Sequence, residues 1–269
     1  MKIVTIPDLH GKDVWNEINP ENYDKIVFVG DYVDAPYRKV SDVADVDNFG
    51  YKIPINEIHG RTNGEILYNL NNIIAFKDKY PDKVVLILGN HDMPYVYHIK
   101  NRSIEHEIMC SGHRYGIENE LAKLFNDNIS KFQIAYQVKN TLWSHAGITQ
   151  EAYLKYFNHK IDNFDEIADE LNRWFILDRP ELFHIAYLRG GRSSAGSILW
   201  ADKSEWMIGQ YELPLTQIVG HSHVEDISFF YDEVDKDENR LTTEILSLKI
   251  NAVFTDVLNV KTKFYELEL

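Results

Sequence analysis

Residues 83–92 read KVVLILGNHD, and this stretch indicates the kind of fold more clearly than any other in the chain. Its first half is a near-continuous run of β-branched and aliphatic residues, which is typical of a strand buried on both faces of a sheet. The run ends at Gly89, and an amide, an imidazole and a carboxylate follow in consecutive positions, as Asn90, His91 and Asp92. A tight turn would explain this stretch alone, so its meaning depends on whether the pattern recurs.

Four other short apolar runs end just as abruptly in polar residues, most of which can bind a metal. They are Lys2–Ile6 before Asp8 and His10, Lys25–Val29 before Gly30 and Asp31, Thr141–Trp143 before Ser144 and His145, and Gln217–Val219 before Gly220, His221 and His223. Together with the run Lys83–Leu88, they predict five strands, each followed by polar residues that include at least one possible metal ligand.

Helical patterns separate the first of these strands. Thr62 and Glu65 have the spacing of a capping box, and the apolar stripe that follows ends at Tyr80. A second stripe begins at Ile167 and ends at Phe175. The alternation of strand and helix points to an α/β sandwich. After residue 224 we expect strands alone, over Ile227–Tyr231, Thr243–Asp256 and Lys263–Leu269, with the acidic stretch 232–239 as a hairpin tip.

The chain shows no internal repeat and no convincing interdomain linker, which favours a single domain over residues 1–269. Two stretches interrupt the strand–helix alternation. Residues 35–61 have no clear period, and residues 95–135 are mostly helical and polar. Because loops of this length are usually lids, binding elements or insertions, we predict insertions at both places.

Composition limits the classes of function and location. The formal net charge is −14, which argues against a protein that holds nucleic acid by general electrostatic attraction. The single cysteine, Cys110, excludes an intrachain disulfide and fits a reducing compartment. No window approaches the about 18 apolar residues of a membrane span, and the N-terminal segment lacks the apolar core of a secretory signal. We therefore expect a cytoplasmic protein without membrane association.

Seven side chains that can bind a metal follow the predicted strands, where open α/β sheets place their ligand sites. They are Asp8, His10, Asp31, Asn90, His145, His221 and His223. Each alone has an ordinary explanation as a helix cap, a turn or a loop residue. Together they suit Mn, Fe, Zn or Ni, and they suffice for two ions if Asp31 bridges them, since one ion uses about four ligands. Two ions ~3.5–4 Å apart can hold a hydroxide nucleophile and assist phosphoryl transfer.

In this combination the residues resemble the calcineurin-like metallophosphoesterases. The family signature is D-x-H, G-D-x-x-D, G-N-H-D/E, a lone histidine and G-H-x-H. It is matched here, over roughly residues 1–225, by Asp8 to His10, Gly30 to Asp34, Gly89 to Asp92, His145, and Gly220 to His223. The resemblance implies a four-layer α/β/β/α sandwich of two mixed sheets flanked by helices.

The resemblance also implies a role for each matching residue. Two metal ions bridged by Asp31 are implied, one bound by Asp8, His10 and His223 and the other by Asn90, His145 and His221. His91 would act as the general acid, and Asp34 would orient it and stabilise its charge. Asn90 is in addition a candidate contact to the substrate.

Within the family the chain is most similar to the phosphoprotein-phosphatase branch. The sequence GDYVD at residues 30–34 and LWAD at residues 199–202 carry this similarity. Ala35 stands where that branch has an arginine, and the stretch between Asp34 and the capping box is longer. The second histidine of the G-H-x-H motif, His223, is more typical of other branches, including the symmetrical dinucleoside-tetraphosphate hydrolases.

A different arginine could replace the missing phosphate contact. The sequence RGGRSS at residues 189–194 offers Arg192 and, second to it, Arg189, since arginine binds phosphate oxygens in a bidentate fork. The same sequence is also compatible with an ordinary surface loop. Arg38, in the predicted insertion, is a third candidate.

These features predict a metal-dependent phosphatase that hydrolyses phosphomonoesters by attack of metal-bound hydroxide. The expected partner is a phosphorylated substrate, either a phosphoserine or phosphothreonine protein or a small phosphoester. We expect Mn²⁺ to support activity in vitro, although Fe and Zn fit the same ligands. The first alternative is hydrolysis of a dinucleoside polyphosphate or a nucleotide phosphodiester at the same site. The second, a non-catalytic protein-binding scaffold, is disfavoured because His91 is retained.

One further group could be drawn as a metal site. His106, Cys110 and His113 lie about one helical turn apart. No fourth ligand is evident, so we interpret them as a buried thiol near two surface histidines. His98 has no sequence neighbour that distinguishes it from an ordinary histidine.

Overall fold

The structure, a computed structural model, describes residues 1–34, 61–157, 163–208, 212–231, 250–258 and 262–269. The chain divides into two compact units, Met1–Ile134 with Val260–Leu269, and Ala135–Asn259, and each is described by itself. The acidic stretch 232–239, Arg38 and all of the predicted insertion 35–61 except Arg61 lie outside the described residues. The prediction of a single domain stays a prediction.

The strands of the described residues are β1 Lys2–Ile6, β2 Lys25–Phe28, β3 Val84–Ile87, β4 Phe132–Gln133, β5 Ala135–Val138, β6 Thr141–Ser144, β7 Thr216–Val219, β8 Ser228–Tyr231, β9 Ile250–Phe254 and β10 Tyr265–Glu268. The α-helices are α1 Asn63–Lys79, α2 Met93–Lys100, α3 Arg102–Glu107, α4 Glu118–Asp127, α5 Gln150–Ala152 and α6 Ile167–Ile176. Short 3₁₀ segments include Val14–Glu17, Tyr187–Arg189 and Lys203–Met207, and a π-helical turn covers Tyr153–Phe157.

The first unit contains a sheet in the order β10-β1-β2-β3-β4. Strands β1 to β4 are parallel, and β10 pairs with β1 in the antiparallel direction, so the sheet is mixed. The side chains of β3 are all buried, as the continuous apolar run predicts. Because parallel neighbours end at the same edge of a sheet, the residues that follow β1, β2 and β3 are brought to one edge.

Two glycines allow the loops after β2 and β3 to pack backbone against backbone. A Cβ atom on Gly30 would lie 2.4 Å from the backbone nitrogen of Gly89, and the φ angle of Gly30 is +103°. Neither condition is compatible with a larger residue at this position. The glycine of the G-D motif therefore determines how closely the two loops approach.

The second unit contains a sheet in the order β5-β6-β7-β9-β8. Strands β6, β7 and β9 are parallel, and β5 and β8 pair antiparallel at the two edges. His145 and the G-H-x-H motif follow the adjacent parallel strands β6 and β7, at the same edge of this sheet.

The predicted helices are confirmed. Both hydrogen bonds of the capping box are present at the start of α1, between Thr62 and Glu65. The stripe that begins at Ile167 forms the buried face of α6. The sequence pattern missed the short strands β4 and β5. β4 lies within the stretch 95–135, which was predicted to be mostly helical, and β5 begins at its last residue.

The predicted α/β class with two mixed sheets and accompanying helices is confirmed. Among the described helices, none combines the length and the hydrophobicity that crossing a membrane requires.

Candidate metal centre

The predicted ligands of the first unit are buried at the carboxyl ends of its parallel strands. Asp8, Asp31 and Asn90 follow β1, β2 and β3, and each is at most 2% exposed. Asp31 accepts hydrogen bonds from the backbone of the first loop through its carbonyl, from Leu9 N at 3.1 Å and His10 N at 2.8 Å. These two hydrogen bonds fix the loop after β1 to the loop after β2.

Four of the predicted site residues adopt left-handed backbone conformations. The φ angles are +45° at His10, +51° at Asp31, +64° at Asp34 and +59° at His221. Such conformations are uncommon outside glycine and carry strain, and they cluster at functional sites because the surrounding structure enforces them.

Asp92, the last residue of the opening stretch, holds the loops after β2 and β3 together. Its carboxylate accepts backbone hydrogen bonds from Asp31 N at 2.9 Å, Tyr32 N at 2.9 Å and Gly89 N at 2.8 Å. The side chain is fully buried, so these bonds replace the hydration that the carboxylate loses. Asp92 therefore positions the two loops that carry Asp31 and Asn90.

His10 presents a nitrogen suited to a metal ion. Its Nδ1 lies 2.9 Å from the carbonyl oxygen of Val33, which can only accept, so Nδ1 carries the proton and Nε2 keeps its lone pair. Burial, with a smaller contribution from His91, lowers the pKa of His10 to about 4. A neutral imidazole with one nitrogen oriented by a backbone carbonyl is the usual form of a metal-binding histidine.

His91 is held by a buried carboxylate and a tyrosine. Its Nδ1 lies 3.1 Å from Asp34 Oδ2, and the hydroxyl of Tyr95 donates to Asp34 Oδ1. Asp31 Oδ1 accepts a hydrogen bond from the His91 backbone nitrogen at 2.9 Å. The position of Asp34 behind His91 agrees with the role that the resemblance implies.

The charges around His91 favour its protonated form. Burial by itself lowers the pKa of His91, but the charge of Asp31, together with the hydrogen bond and charge of Asp34, outweighs it and raises the pKa to about 9. His10 and His91 therefore differ in protonation at neutral pH although their ring centroids lie 4.9 Å apart. Opposed pKa shifts in neighbouring groups are typical of sites that divide binding and proton transfer.

Three of these side chains lie close together, and two of them, His10 and Asp31, could hold an ion. One ligand atom from each of His10, Asp31 and His91 lies within 4.8 Å of the others. The Oδ2 atom of Asp31 is 3.7 Å from His10 Nε2, which is too long for a hydrogen bond between them. An imidazole lone pair and a carboxylate oxygen at this separation suit a shared divalent transition ion.

Asn90 is buried next to the single cysteine. Its Nδ2 donates to Cys110 Sγ at 3.3 Å, and the thiol donates in turn to the Asn90 carbonyl at 3.3 Å. Because Cys110 engages the amide nitrogen of the Asn90 side chain, the amide oxygen, which is the predicted ligand atom, is left for other contacts. Burial raises the pKa of Cys110 well above its ordinary value, so the residue remains a thiol.

In the second unit, His145 and His221 form a pair. His145 Nε2 lies 3.1 Å from His221 Nδ1, and His145 is fully buried. Two nitrogens bound at about 2.0–2.1 Å to one tetrahedral ion are separated by roughly 3.3 Å, close to this distance. The pair therefore has the spacing of two ligands of one ion.

The other predicted residues of this unit are more exposed. The His223 side chain is 48% exposed, and its Nδ1 lies 3.9 Å from Asp256 Oδ2. Arg189 Nη2 donates to Ser222 Oγ at 2.8 Å, and its Nε lies 2.8 Å from Asp202 Oδ2. Arg189 thus links the G-H-x-H turn to the LWAD segment, whereas Arg192 is exposed to solvent.

Comparison with known proteins identifies the family. The sequence model of the calcineurin-like phosphoesterases matches residues 1–225, which is most of the chain. The chain belongs to the calcineurin-like phosphoesterase family. The predicted family and fold are confirmed, and the prediction that this phosphoesterase is a hydrolytic enzyme is confirmed with them. No curated protein sequence matches it significantly.

Three solved structures similar to this phosphoesterase are distant from it in sequence. A mutant cold-active protein tyrosine phosphatase aligns over 99% of this chain and 75% of its own, with a TM-score of 0.52 and 13% identity, which shows the shared fold. The cold-active protein-tyrosine phosphatase of a psychrophilic Shewanella species aligns over 99% and 75%, with a TM-score of 0.49 and 13% identity. A Saccharomyces cerevisiae protein serine/threonine phosphatase similar to human phosphatase PP5 aligns over 95% and 67%, with a TM-score of 0.42 and 13% identity.

Sequence reasoning missed several residues that hold this phosphoesterase site in place. The motif that ends at Asp92 does not indicate that this carboxylate binds three backbone amides. No sequence pattern indicates a structural role for Tyr95 or Arg114. In the structure, the Arg114 backbone nitrogen donates to the Tyr95 hydroxyl at 2.7 Å. The interpretation of His113 as a surface residue is wrong, since it is only 3% exposed. The ring of Tyr95 stacks on one face of the His113 ring.

Proposed function

We propose that this phosphoesterase hydrolyses phosphomonoesters with the help of two divalent metal ions and a histidine general acid. The observation that carries the proposal is His91, which is supported on Nδ1 by the buried Asp34 and placed beside the Asp31 carboxylate. A site that only bound metal would need neither Asp34 nor the charge that His91 carries. A protonated histidine beside anionic ligands suits the departure of an alkoxide.

The proton transfer follows from the orientation of His91. Its Nδ1 is engaged by Asp34, so Nε2 is the nitrogen that can donate to the leaving oxygen of the substrate. Asp34 then compensates the imidazolium charge before transfer and keeps the ring in place afterwards. The Tyr95 hydroxyl donates to Asp34 and fixes it, which favours transfer because the donor needs no reorganisation.

The proposed metal ligands are Asp8, His10, Asp31, Asn90, His145, His221 and His223. When bound, divalent ions lower the pKa of a coordinated water towards ~7 and neutralise charge on phosphate oxygens. The neutral Nε2 of His10 and the close nitrogens of His145 and His221 support this assignment. The donor set of oxygen and imidazole nitrogen fits Mn²⁺, Fe or Zn²⁺, and we expect Mn²⁺ to support turnover in vitro.

We propose a phosphoserine or phosphothreonine side chain as the substrate, because residues 30–34 and 199–202 are similar to the phosphoprotein-phosphatase branch. Arg192, exposed and not held by an ion pair among the described contacts, remains the candidate for gripping phosphate. Arg189 is the weaker candidate since Asp202 and Ser222 already engage it.

Hydrolysis of a dinucleoside polyphosphate or a nucleotide phosphodiester is the second candidate. The observation in its favour is the second histidine of the G-H-x-H motif, His223, which is more typical of other branches of the family, including the symmetrical dinucleoside-tetraphosphate hydrolases. The two candidates share the same chemistry and differ in the substrate alone.

The test is hydrolysis of p-nitrophenyl phosphate with and without added Mn²⁺, by the wild type and by His91→Ala, with metal content measured in parallel. The matched control is His106→Ala, an exposed histidine on α3. We expect metal-dependent turnover that falls about 10²- to 10⁴-fold in His91→Ala while metal remains bound, and no change in the control. An equal loss in both variants, or a chain that binds no metal, would contradict the proposal.

The substrate is assigned with a panel on the active enzyme. It contains phosphoseryl, phosphothreonyl and phosphotyrosyl peptides, diadenosine tetraphosphate and bis-p-nitrophenyl phosphate. The phosphotyrosyl peptide is included because one structural neighbour is a protein tyrosine phosphatase. Preference for the first two peptides supports the proposal, whereas preference for the last two compounds favours the second candidate. Bound metal without turnover of any compound would favour a binding scaffold.

A further inference from the structure

Tyr95, on α2, lies behind the proposed proton donor and is fully buried. Its hydroxyl donates to Asp34 Oδ1 and accepts a hydrogen bond from the Arg114 backbone nitrogen at 2.7 Å. The other carboxylate oxygen of Asp34, Oδ2, lies 3.1 Å from His91 Nδ1. An unbroken chain of hydrogen bonds therefore runs from the Arg114 backbone to His91.

The proton of the Tyr95 hydroxyl points in one direction. A backbone N–H can only donate, so the Tyr95 oxygen accepts from Arg114 and its single proton is directed to Asp34. The ring itself is held by His113, which stacks on it at 4.6 Å with an interplanar angle of 8°, and by Phe125, whose ring centroid lies at 6.5 Å. Tyr95 is therefore a donor that is fixed in position before substrate binds.

The Asp34 carboxylate needs a donor of this kind. The torsion that rotates an aspartate carboxylate is broad, so covalent geometry does not fix the plane of the group. The side chain is 0% exposed, so bulk water does not fix it either. The backbone of Asp34 is placed separately, since a Cβ atom on Gly112 would lie 2.7 Å from its carbonyl oxygen. Packing thus sets where Asp34 lies, and the hydrogen bond from Tyr95 sets the plane of its carboxylate.

The plane of this carboxylate determines where His91 points. Because Asp34 Oδ2 engages Nδ1, a rotation of the carboxylate moves the imidazole ring and with it Nε2, the nitrogen that would donate the proton. Proton transfer requires heavy atoms about 2.6–3.2 Å apart, and a misplacement of roughly 1 Å costs about 100-fold in rate. Loss of the Tyr95 hydroxyl should therefore weaken proton transfer without removing any proposed metal ligand.

The size of the effect depends on the leaving oxygen of the substrate. An alkoxide is strongly basic and departs with a proton, whereas p-nitrophenolate is a stable anion that departs without one. A residue that acts only through proton transfer should therefore matter for esters of the first kind and hardly at all for esters of the second kind.

We propose that Tyr95 is a positioning residue for proton transfer by His91, and that it directs this phosphoesterase to esters with strongly basic leaving oxygens, such as phosphoserine and phosphothreonine. The inference rests on the proposed function and extends it to a residue that acts through Asp34. As the attacking water oxygen bonds to phosphorus, the bond to the leaving oxygen breaks, and that oxygen keeps the electron pair and takes the proton of His91 Nε2. Tyr95 keeps its own proton throughout.

The test compares two substrates that differ in the leaving oxygen alone. Phenyl phosphate lacks the nitro group of p-nitrophenyl phosphate, so its leaving oxygen is more basic. In the metal-saturated full-length enzyme, Tyr95→Phe should lower kcat for phenyl phosphate about tenfold or more and leave kcat for p-nitrophenyl phosphate nearly unchanged. The matched control is Tyr97→Phe, which removes the hydroxyl of another buried tyrosine on α2 and should keep the wild-type ratio of the two rates.

A replacement that retains a donor separates hydrogen bonding from packing. Site-specific replacement of Tyr95 by p-aminophenylalanine keeps the ring and an N–H directed at Asp34, so it should restore most of the rate with phenyl phosphate. Circular dichroism and metal analysis confirm the fold and metal content of each variant. The p-aminophenylalanine variant decides the outcome if Tyr95→Phe does not fold, since a selective loss with phenyl phosphate in this variant would overturn the proposal.

His91→Ala distinguishes failure of this inference from failure of the proposed function. It should reduce the ratio of the two rates at least as much as Tyr95→Phe does, and adding Tyr95→Phe to it should change the ratio no further. If His91→Ala acts selectively on phenyl phosphate but Tyr95→Phe lowers both rates by the same factor, the role of Tyr95 is structural and this inference alone is overturned. If His91→Ala lowers both rates by the same factor, the general acid is refuted and this inference with it.

Discussion

The two units hold their predicted site residues by different means. In the first unit, buried carboxylates do so: Asp92 binds three backbone amides, and Asp34 binds His91 and Tyr95. In the second unit, the G-H-x-H turn is held by Arg189, whose side chain is 28% exposed, and the neighbouring His223 is 48% exposed.

This difference predicts how strongly each unit responds to substitution. A buried charge that loses a partner retains its full desolvation cost, whereas an exposed ion pair is replaced by water with little change in free energy. Substitutions around the loops of the first unit should therefore alter stability and chemistry together. Substitutions around the turn of the second unit should alter either metal affinity or substrate binding and leave the fold intact.

The largest expected effect is that of Gly30→Ala in the first unit. The new Cβ would meet the backbone of Gly89 at 2.4 Å, at a φ angle that alanine avoids. Strain and overpacking together should cost about 3–5 kcal/mol and lower the midpoint of thermal unfolding by roughly 10 °C. Scanning calorimetry measures this change.

The control is Gly64→Ala in the first turn of α1, where an added Cβ meets nothing within 4 Å. It should be neutral or stabilise the protein by up to about 1 kcal/mol. If Gly30→Ala unfolded at the same temperature as Gly64→Ala, the loops of the first unit would be less tightly packed than the structure indicates.

Asp34→Asn should have the next largest effect, on the chemistry of His91. The asparagine cannot stabilise an imidazolium, so we expect turnover to fall about 10²-fold or more. In the metal-free protein, the pKa of His91 should fall from about 9, as followed by NMR titration. Asp13→Asn, with a side chain that is 70% exposed, is the control and should change neither quantity.

The pH dependence of stability gives a second measure of the same substitution. Because the folded pKa of His91 lies above the ordinary value of 6.5, protonation stabilises the metal-free fold. That contribution is fully present below pH 6.5 and is lost as the pH rises through about 9. Asp34→Asn should therefore destabilise the protein more near pH 6 than near pH 10. The opposite order would contradict the assigned pairing.

The sequence predicted the parts of the site that depend on local pattern. Continuous apolar runs located the strands β1, β2 and β3 to within one residue, and the motif residues follow their ends. The short strands β4 and β5 were missed because neither contains a continuous apolar run: their sequences, FQ and AYQV, mix apolar and polar residues and are only partly buried. β4 pairs with β3, which is distant in the chain, and β5 pairs with β6, which follows it. Neither pairing can be inferred from composition.

Contacts between residues far apart in the chain could not be predicted in the same way. Asp92 binds Asp31 N across 61 positions, and Tyr95 is bound by Arg114 N across 19. Nothing in the local pattern shows that these polar groups are buried, and the surface interpretation of His113 was wrong for the same reason. Buried polar networks become visible only when the loops are placed next to each other.

The smallest expected effect separates the two arginines of the second unit. Arg189→Ala removes the ion pair with Asp202 and the hydrogen bond to Ser222. Both contacts are partly exposed and lie next to His221 and His223, so we expect metal affinity to fall about tenfold while the unfolding temperature stays nearly constant.

Arg192→Ala should act on the substrate instead. This exposed side chain has no role in holding the turn, so metal content should not change, and loss of a phosphate contact should raise KM by roughly tenfold at unchanged kcat. Steady-state kinetics and metal analysis on both variants separate the two roles. If Arg189→Ala raised KM with metal retained and Arg192→Ala did nothing, Arg189 would be the phosphate ligand. Its contacts to Asp202 and Ser222 would then serve to position it, and the second unit would be preorganised for substrate as firmly as the first is for proton transfer.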